Sequence, residues 1–188
     1  MTKIVIIGGG QAGATVAQDL RKRGFDGELT ILGDESALPY RRPPLSKAYL
    51  AGEATEESLY QIKAPILEKN QIVYRGNAEV VSIDRSAKTV SLKDGDTRSH
   101  DKLGLATGGR ARPLPIAGAD APNVHVLRSI DDVNAIRAQF APGKKLVIIG
   151  GGFIGLEVAA VARKLELDVT VLEGLPRVLA RVTAPEMS

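Results

Sequence analysis

Two stretches decide how this chain is read. Residues 3–35 run KIVIIGGGQAGATVAQDLRKRGFDGELTILGDE, and residues 144–175 run KKLVIIGGGFIGLEVAAVARKLELDVTVLEGL. Each holds a basic residue, a β-branched apolar run, a glycine-rich turn, an alanine-rich stretch and a second apolar run. The first apolar run of each copy lacks alternation, which predicts a parallel strand buried on both faces. The alanine-rich middle predicts a helix, so each copy is a β-α-β unit. A repeated unit of this kind sets the organisation of the whole chain.

The turns carry the chemistry. Gly8, Gly10 and Gly13 form one Gly-x-Gly-x-x-Gly fingerprint, and Gly150, Gly152 and Gly155 form the other. The first glycine makes the tight turn, the second lets a pyrophosphate approach the backbone, and the third lets helix pack on strand. Unpaired N–H groups and the dipole at the helix start then favour the anion. The bland alternative is a plain glycine turn. A preceding strand and a following helix distinguish the two, and both copies have that context.

After the second strand of the second copy stands Glu173, placed to accept from both ribose hydroxyls. That favours NAD over NADP, because a 2′-phosphate would be repelled. In the first copy, aligning Thr30 with Thr170 puts Gly33 where the acid belongs, with Asp34 and Glu35 next. Asp34 is the ribose candidate, and capping of the local turn is its alternative role.

Between the copies the chain changes character. Residues 33–47 are rich in Pro, Gly and charge and predict an ordered loop, with Pro43 and Pro44 barring a helix until Leu45. Residues 78–84 and 88–92 predict a hairpin, and Lys102 to Ala106 a strand ending at Thr107-Gly108-Gly109. Residues 110–123 read as a crossover between domains. Ser129 with Asp132 predicts the cap of a helix reaching about Phe140.

Composition excludes several function classes. The chain has 188 residues, with 25 Lys plus Arg against 22 Asp plus Glu and a net charge of +3. So small an excess is not a nucleic-acid footprint, and 4% aromatics without Trp give no base-stacking platform. With no Cys, these residues supply no disulfide, iron–sulfur ligand or dithiol relay. His100 and His125 lack ligand spacing, so no metal site is expected. No apolar run suits a signal h-region or a membrane span, and a soluble cytoplasmic protein is expected.

The two fingerprints, together with Tyr40-x-Arg42-Pro43-Pro44-Leu45-Ser46-Lys47, Leu105-Ala106-Thr107-Gly108 and Gly150-Gly-Gly-Phe-Ile-Gly155-Leu-Glu157, resemble the flavin-dependent NADH–ferredoxin reductases (putidaredoxin-reductase-like proteins). These serve cytochrome P450 and ring-hydroxylating dioxygenase systems. The likeness runs the length of the chain. It implies an α/β fold with two Rossmann-like FAD/NAD(P)-binding units of three-layer β/β/α type, both incomplete here. Residues 1–112 would be the first segment of the FAD-binding domain and 113–188 a partial NAD-binding domain.

Site roles follow from the resemblance residue by residue. Ala12 and the glycines around it would line the FAD pyrophosphate, and Asp34, with Glu35 beside it, would take the adenosine ribose. Val80 would meet the adenine by its backbone, and Arg128 would reach the FAD. Arg42, Arg110, Ala106, Thr107 and Gly108 complete the cofactor-binding candidates. Arg42 and Arg110 also read as solvated loop charges, Val80 as a core strand residue, and Arg128 as a donor to loop carbonyls.

Lys47 and Glu157 are the catalytic candidates, although each by itself also reads as surface charge. Glu157 lies two residues past Gly155, on the first turn of the helix, and the two side chains are expected to meet at the flavin. Such a pair would hold charge near the reacting ring edge and position the nicotinamide. Two stacked sites imply hydride transfer from NADH to flavin, in which the protein supplies orientation. Without a dithiol, electrons would pass directly to an external acceptor, one at a time to an iron–sulfur protein or otherwise to oxygen or a quinone; the resemblance implies a ferredoxin-type iron–sulfur protein. A cationic surface would assist an acidic ferredoxin.

Three departures from the family pattern stand out. Only 33 residues follow Gly155, whereas such proteins run to roughly double this length, so a truncated piece of a reductase is expected. Gly104 interrupts a strand where a β-branched residue belongs, and Gly33 replaces the first acid. Two other classes stay open: a dinucleotide-binding fragment without turnover, and a flavoprotein of the apoptosis-inducing-factor kind. The modest charge disfavours the second of these.

Overall fold

A computed structural model describes residues 1–188. The chain divides into two compact units, Met1–Arg41 with Leu59–Arg110, and Arg42–Ser58 with Ala111–Ser188. The boundary after Arg110 falls at the start of the proline-rich crossover. Residues 42–58, however, group with the second unit and not with the first.

The first unit is built on β1 (Lys3–Ile7), α1 (Gln11–Lys22), β2 (Glu28–Leu32), α3 (Ala64–Lys69), β3 (Ile72–Arg75) and β7 (Lys102–Leu105), while the short helix α2 (Glu56–Leu59) spans the boundary between units. Its strands form a parallel sheet in the order β3-β2-β1-β7. A second, antiparallel sheet of β4 (Val80–Asp84), β5 (Thr89–Leu92) and β6 (Thr97–Ser99) extends the expected hairpin by one strand.

Alternation along β1 and β2 separates two cores. Ile6, Leu29 and Ile31 pack with Ala14 and Ala17 of α1 and with Ile62, Leu67 and Ile72. Val5, Ile7 and Leu32 pack on the opposite face with Ala78, Val90 and Leu92 of the antiparallel layer. A sheet covered on both faces needs apolar side chains at every position, which accounts for the unbroken run Ile4–Ile7. Gly104 pairs with Ile6 across the β1–β7 ladder. A Cβ there would lie 3.5 Å from Ile6 Cγ1, an ordinary contact, so the strand tolerates but does not require glycine.

Arg21, in the last turn of α1, ties this unit together. Its guanidinium donates to the carbonyls of Phe25, Gly27, Asn70 and Gln71 at 2.6–2.9 Å. Arg163 repeats the contact in the second unit, donating to Leu167 O at 2.6 Å.

The second unit contains α4 (Ile130–Arg137), β8 (Lys145–Ile149), α5 (Phe153–Lys164) and β9 (Asp168–Leu172). Ser129 caps α4 in a reciprocal capping box with Asp132, as its sequence suggests, although the helix stops at Arg137 before reaching Phe140. β8 and β9 pair in parallel as a two-stranded sheet. Val158 and Ala162 of α5 are buried, but Val147, Ile149 and Leu172 are more than half exposed. Burial on both faces is therefore met at β1, while β8 keeps one apolar face open, as expected of a parallel sheet cut short. The equivalent first-unit residues Val5, Ile7 and Leu32 are buried by the antiparallel layer, and within residues 1–188 no strands lie over β8 and β9 in the same way.

Pro43 and Pro44 do not delay helical structure until Leu45. Pro43–Ser46 is itself a 3₁₀ turn with proline in its opening positions, where a missing N–H costs nothing and φ is already set. No helix of the molecule is long and apolar enough to cross a membrane.

Candidate functional site

Both fingerprints are strand-to-helix turns of the same geometry. Gly8 and Gly150 have φ of +119° and +109°, in the region that excludes a side chain. At Gly13 a Cβ would lie 2.1 Å from Gly8 O, and at Gly155 one would lie 2.1 Å from Gly150 O. Those positions are glycine because the helix start lies against the turn. Gly10 and Gly152 differ, having ordinary extended backbone (φ −85° and −83°) as the N-caps of α1 and α5, without side-chain caps. Nothing lies within 4 Å of a Cβ built at either. Each turn thus has an open approach to unpaired helix N–H groups, the cradle a pyrophosphate fills. Ala12 is exposed on the first turn of α1.

The two copies then diverge at the acid. Glu173 follows β9 and folds back, Oε2 accepting from Gly151 N at 2.7 Å and Oε1 from Leu175 N at 2.8 Å. These bonds, Leu175 first and Gly151 second, hold the carboxyl below the usual carboxylate range. The carboxylate is therefore ionised and fixed beside its glycine turn.

In the first unit Tyr74 of β3 crosses this place. A Cβ on Gly33 would lie 2.5 Å from Tyr74 Oη, and one on Gly9 would lie 2.9 Å from it. The phenol donates to Ala37 O at 2.6 Å. Burial first, then the charges of Glu35 and Asp34, push it up to about 12. Tyr74 explains why the first copy has glycine at 33 and its acids one step later. Asp34 is exposed and ion-paired at 3.6 Å with Arg110, which also reaches Glu79 at 3.8 Å. Glu35 accepts from the Tyr40 hydroxyl.

The remaining first-unit candidates line the same end of the sheet. Ala106 N donates to Ile7 O at 2.8 Å, and its own carbonyl lies against Gly8, 2.0 Å from a built Cβ. Thr107 and Gly108 follow in an exposed loop. Val80 opens β4, opposite Leu92 beside a bulge, and packs partly buried on the Val5–Leu32 core.

In the second unit the Arg-Pro-Pro-Leu-Ser-Lys segment packs on α5 and α4. Lys47 Nζ lies 2.8 Å from Glu157 Oε1. Glu157 is the fifth residue of α5 and so stands in its second turn, not its first. Its other oxygen, Oε2, accepts from Ser46 Oγ at 2.5 Å. Lys47 first, then Ser46, draw its pKa below the ordinary 4.5. Arg42 and Arg128 are also brought together, Arg42 Nη1 donating to Arg128 O at 2.6 Å. Arg128 N donates to Asp132 at 2.8 Å. The roles of Ser46 and Tyr74 are not visible from motif spacing, since their partners are remote in sequence.

Two glycine-cradled β-α-β units, one with a fixed acid and one with a tyrosine in its place, define a tandem dinucleotide-binding α/β protein. The chain belongs to the pyridine nucleotide-disulphide oxidoreductase family, whose model matches residues 2–188. It is 47% identical over 188 residues to putidaredoxin reductase of Pseudomonas putida, covering 98% of this chain and 44% of that protein. It is 48% identical over 185 residues to rhodocoxin reductase of Rhodococcus erythropolis, covering 98% and 43%. Among solved structures, putidaredoxin reductase in its covalent complex with putidaredoxin superposes with a TM-score of 0.94 at 46% identity, covering 99% of this chain and 45% of that one. A Rhodopseudomonas palustris ferredoxin reductase for the CYP199A2 system gives 0.94 at 40% identity, covering 100% and 46%. The chain thus spans a little under half the length of these relatives.

Proposed function

We propose that this chain is the nucleotide-binding part of a flavoprotein reductase that transfers electrons from NADH through FAD to a ferredoxin-type iron–sulfur protein of a P450 or dioxygenase system. The observation that carries this reading is the duplicated cradle: Gly10 and Gly152 each leave open the space that a pyrophosphate needs. The names of the relatives support the acceptor class.

In this reading the first cradle holds FAD. Gly8, Gly10, Ala12 and Gly13 receive the pyrophosphate at the start of α1, and Asp34 with Glu35 the adenosine ribose. Val80 contributes backbone to the adenine, and Ala106, Thr107 and Gly108 close the neighbouring strand end. Arg110 screens Asp34, while Arg42 and Arg128 contribute cationic donors. The second cradle, Gly150, Gly152 and Gly155, holds NADH. Glu173 accepts from the adenosine ribose and repels a 2′-phosphate.

Bound at the first cradle, FAD would supply the capacity to take a hydride from NADH and release electrons singly. The chain's own contribution is orientation and charge. Lys47 keeps a cation at the end of the Pro43–Ser46 turn, and Glu157 keeps its compensating carboxylate on α5. Neither needs to move a proton for hydride transfer, since alignment at about 3–3.5 Å suffices.

The test is spectroscopic. Purified protein given FAD should show absorbance near 450 nm that NADH bleaches and a [2Fe–2S] ferredoxin restores. Failure to bind FAD and NADH, at protein concentrations of about 100 μM, overturns the reading.

A further inference from the structure

We propose that Ser46 is the positioning residue of the Lys47–Glu157 pair, its buried hydroxyl fixing the carboxylate so that the ammonium of Lys47 is held on the opposite oxygen. The proposal rests on the reading of that pair as the charged element beside the flavin. It adds a residue to which composition and motif assign no role.

Exposure shows which member of the trio is anchored. The Lys47 side chain is 52% exposed and that of Glu157 30%, while Ser46 is 4% exposed. An exposed ammonium on four methylenes loses side-chain entropy on pairing and gains little by itself. A buried hydroxyl on a proline-stiffened turn is already ordered, because Pro43 and Pro44 fix φ in its opening positions. The bond from Ser46 Oγ is also charge-assisted, and such bonds are short and directional. It occupies Oε2 alone and leaves Oε1 aimed at Lys47. Lys47 Nζ otherwise has only a long contact, 3.4 Å, to Pro43 O.

The internal repeat supplies an independent argument. The residue of α1 equivalent to Glu157 is Thr15, two beyond Gly13 as Glu157 is two beyond Gly155. The Thr15 hydroxyl oxygen accepts a hydrogen bond from the Gln61 side-chain amide at 2.9 Å, and Thr15 bears no charge. The same helix position is thus neutral in one unit and ionised in the other. The acid comes with its own hydroxyl and ammonium, both from the segment 42–58 that the chain sequence places far from α5. Helix formation and β-α-β packing need neither, as Thr15 shows.

Three consequences can be measured on Ser46→Ala, a variant of nearly unchanged volume, with Ser46→Cys exchanging the hydroxyl for a weak thiol donor and Ser46→Thr as the one that restores a hydroxyl. In the chain without nucleotide, the Glu157 carboxyl signal, assigned by its loss in Glu157→Gln, should titrate at higher pH in Ser46→Ala and return toward the original in Ser46→Thr. The acylation rate of Lys47, read by mass spectrometry, should rise severalfold in Ser46→Ala and Ser46→Cys toward the value in Glu157→Gln. In FAD-loaded protein, NADH bleaching should slow about tenfold in Ser46→Ala, in line with the cost of a misplaced positioning group. Its low-pH limb should move upward with the carboxyl titration. A Lys47 acylation rate unmoved by loss of the hydroxyl overturns the proposal. So does a bleaching rate and pH profile unmoved while the carboxyl titration shifts, for Ser46 then has a local bond and no positioning role. A protein that takes up no FAD defeats the reductase reading instead, and the acylation result still decides the positioning of the pair.

Discussion

The hydroxyl of Tyr74 occupies the space in which a side chain on Gly33 would begin, 2.5 Å from the built Cβ. In the second unit the same corner of the fold, beside Gly151, holds the carboxylate of Glu173. One position after the second strand is therefore a glycine in the copy where β3 brings a tyrosine, and an acid in the copy where Val178 Cγ1 lies 2.8 Å from a Cβ built on Gly151. Gly33→Ala should cost about 1–3 kcal/mol of unfolding free energy through overpacking. In a Tyr74→Phe background the cost should fall, since the nearest atom is gone. Urea unfolding of the two single variants and the double variant measures the coupling.

Gly10 and Gly13 should behave oppositely on substitution by alanine. Gly13→Ala forces a Cβ to 2.1 Å from Gly8 O, so it should destabilise the first unit by at least about 2 kcal/mol. Gly10→Ala meets nothing within 4 Å and should leave the melting temperature unchanged. It should nonetheless weaken FAD binding about tenfold or more, because the methyl fills the pyrophosphate approach. The pair Gly152→Ala and Gly155→Ala should repeat the contrast for NADH. Calorimetry and nucleotide titration of the four variants distinguish fold from site.

Glu173→Ala should weaken NADH binding and narrow the preference for NADH over NADPH, by about tenfold as a ratio of affinities, since one repelling charge and one bidentate acceptor are removed. Glu173→Gln should keep the bond from Gly151 and lose the repulsion. The ratio of the two dissociation constants, measured at fixed salt, is the check.

Arg21→Ala should be more damaging than Arg163→Ala. Arg21 satisfies four carbonyls across α1, β3 and their loops, whereas Arg163 serves Leu167 O. Losses of about 2–4 kcal/mol and about 1 kcal/mol respectively are expected, from the worth of hydrogen bonds to a charged donor. Chemical denaturation of each variant tests the order.

Glu157 also makes stability depend on pH. Its pKa in the folded chain lies below the ordinary 4.5, owing to Lys47 and then Ser46. The unfolded chain consequently binds a proton more readily. The contribution of the pair is complete above about pH 5 and disappears as pH falls through the depressed value. Glu157→Gln should flatten the acid side of the stability–pH curve, as read by thermal melts between pH 3 and pH 6 in steps of about half a unit.

The duplicated β-α-β unit was determined by sequence alone, because hydrophobic periodicity and the glycine positions are local properties and both copies obey the same local rules. So was the pairing of Ser129 with Asp132, whose residues are three apart. What lies between the copies was decided only by tertiary structure. Proline chemistry at 43 and 44 bars a continuous α-helix but does not say that a 3₁₀ turn will lie on α5, 111 residues away from Ser46 at Glu157. Burial of β8 was likewise undecidable from its composition, since Val147 and Ile149 match Val5 and Ile7 in type. Whether such residues are covered depends on a second layer supplied by distant strands. Ser46 and Tyr74 belong to the same category: each matters through what the fold sets against it, and non-local contacts leave no periodic trace in the chain.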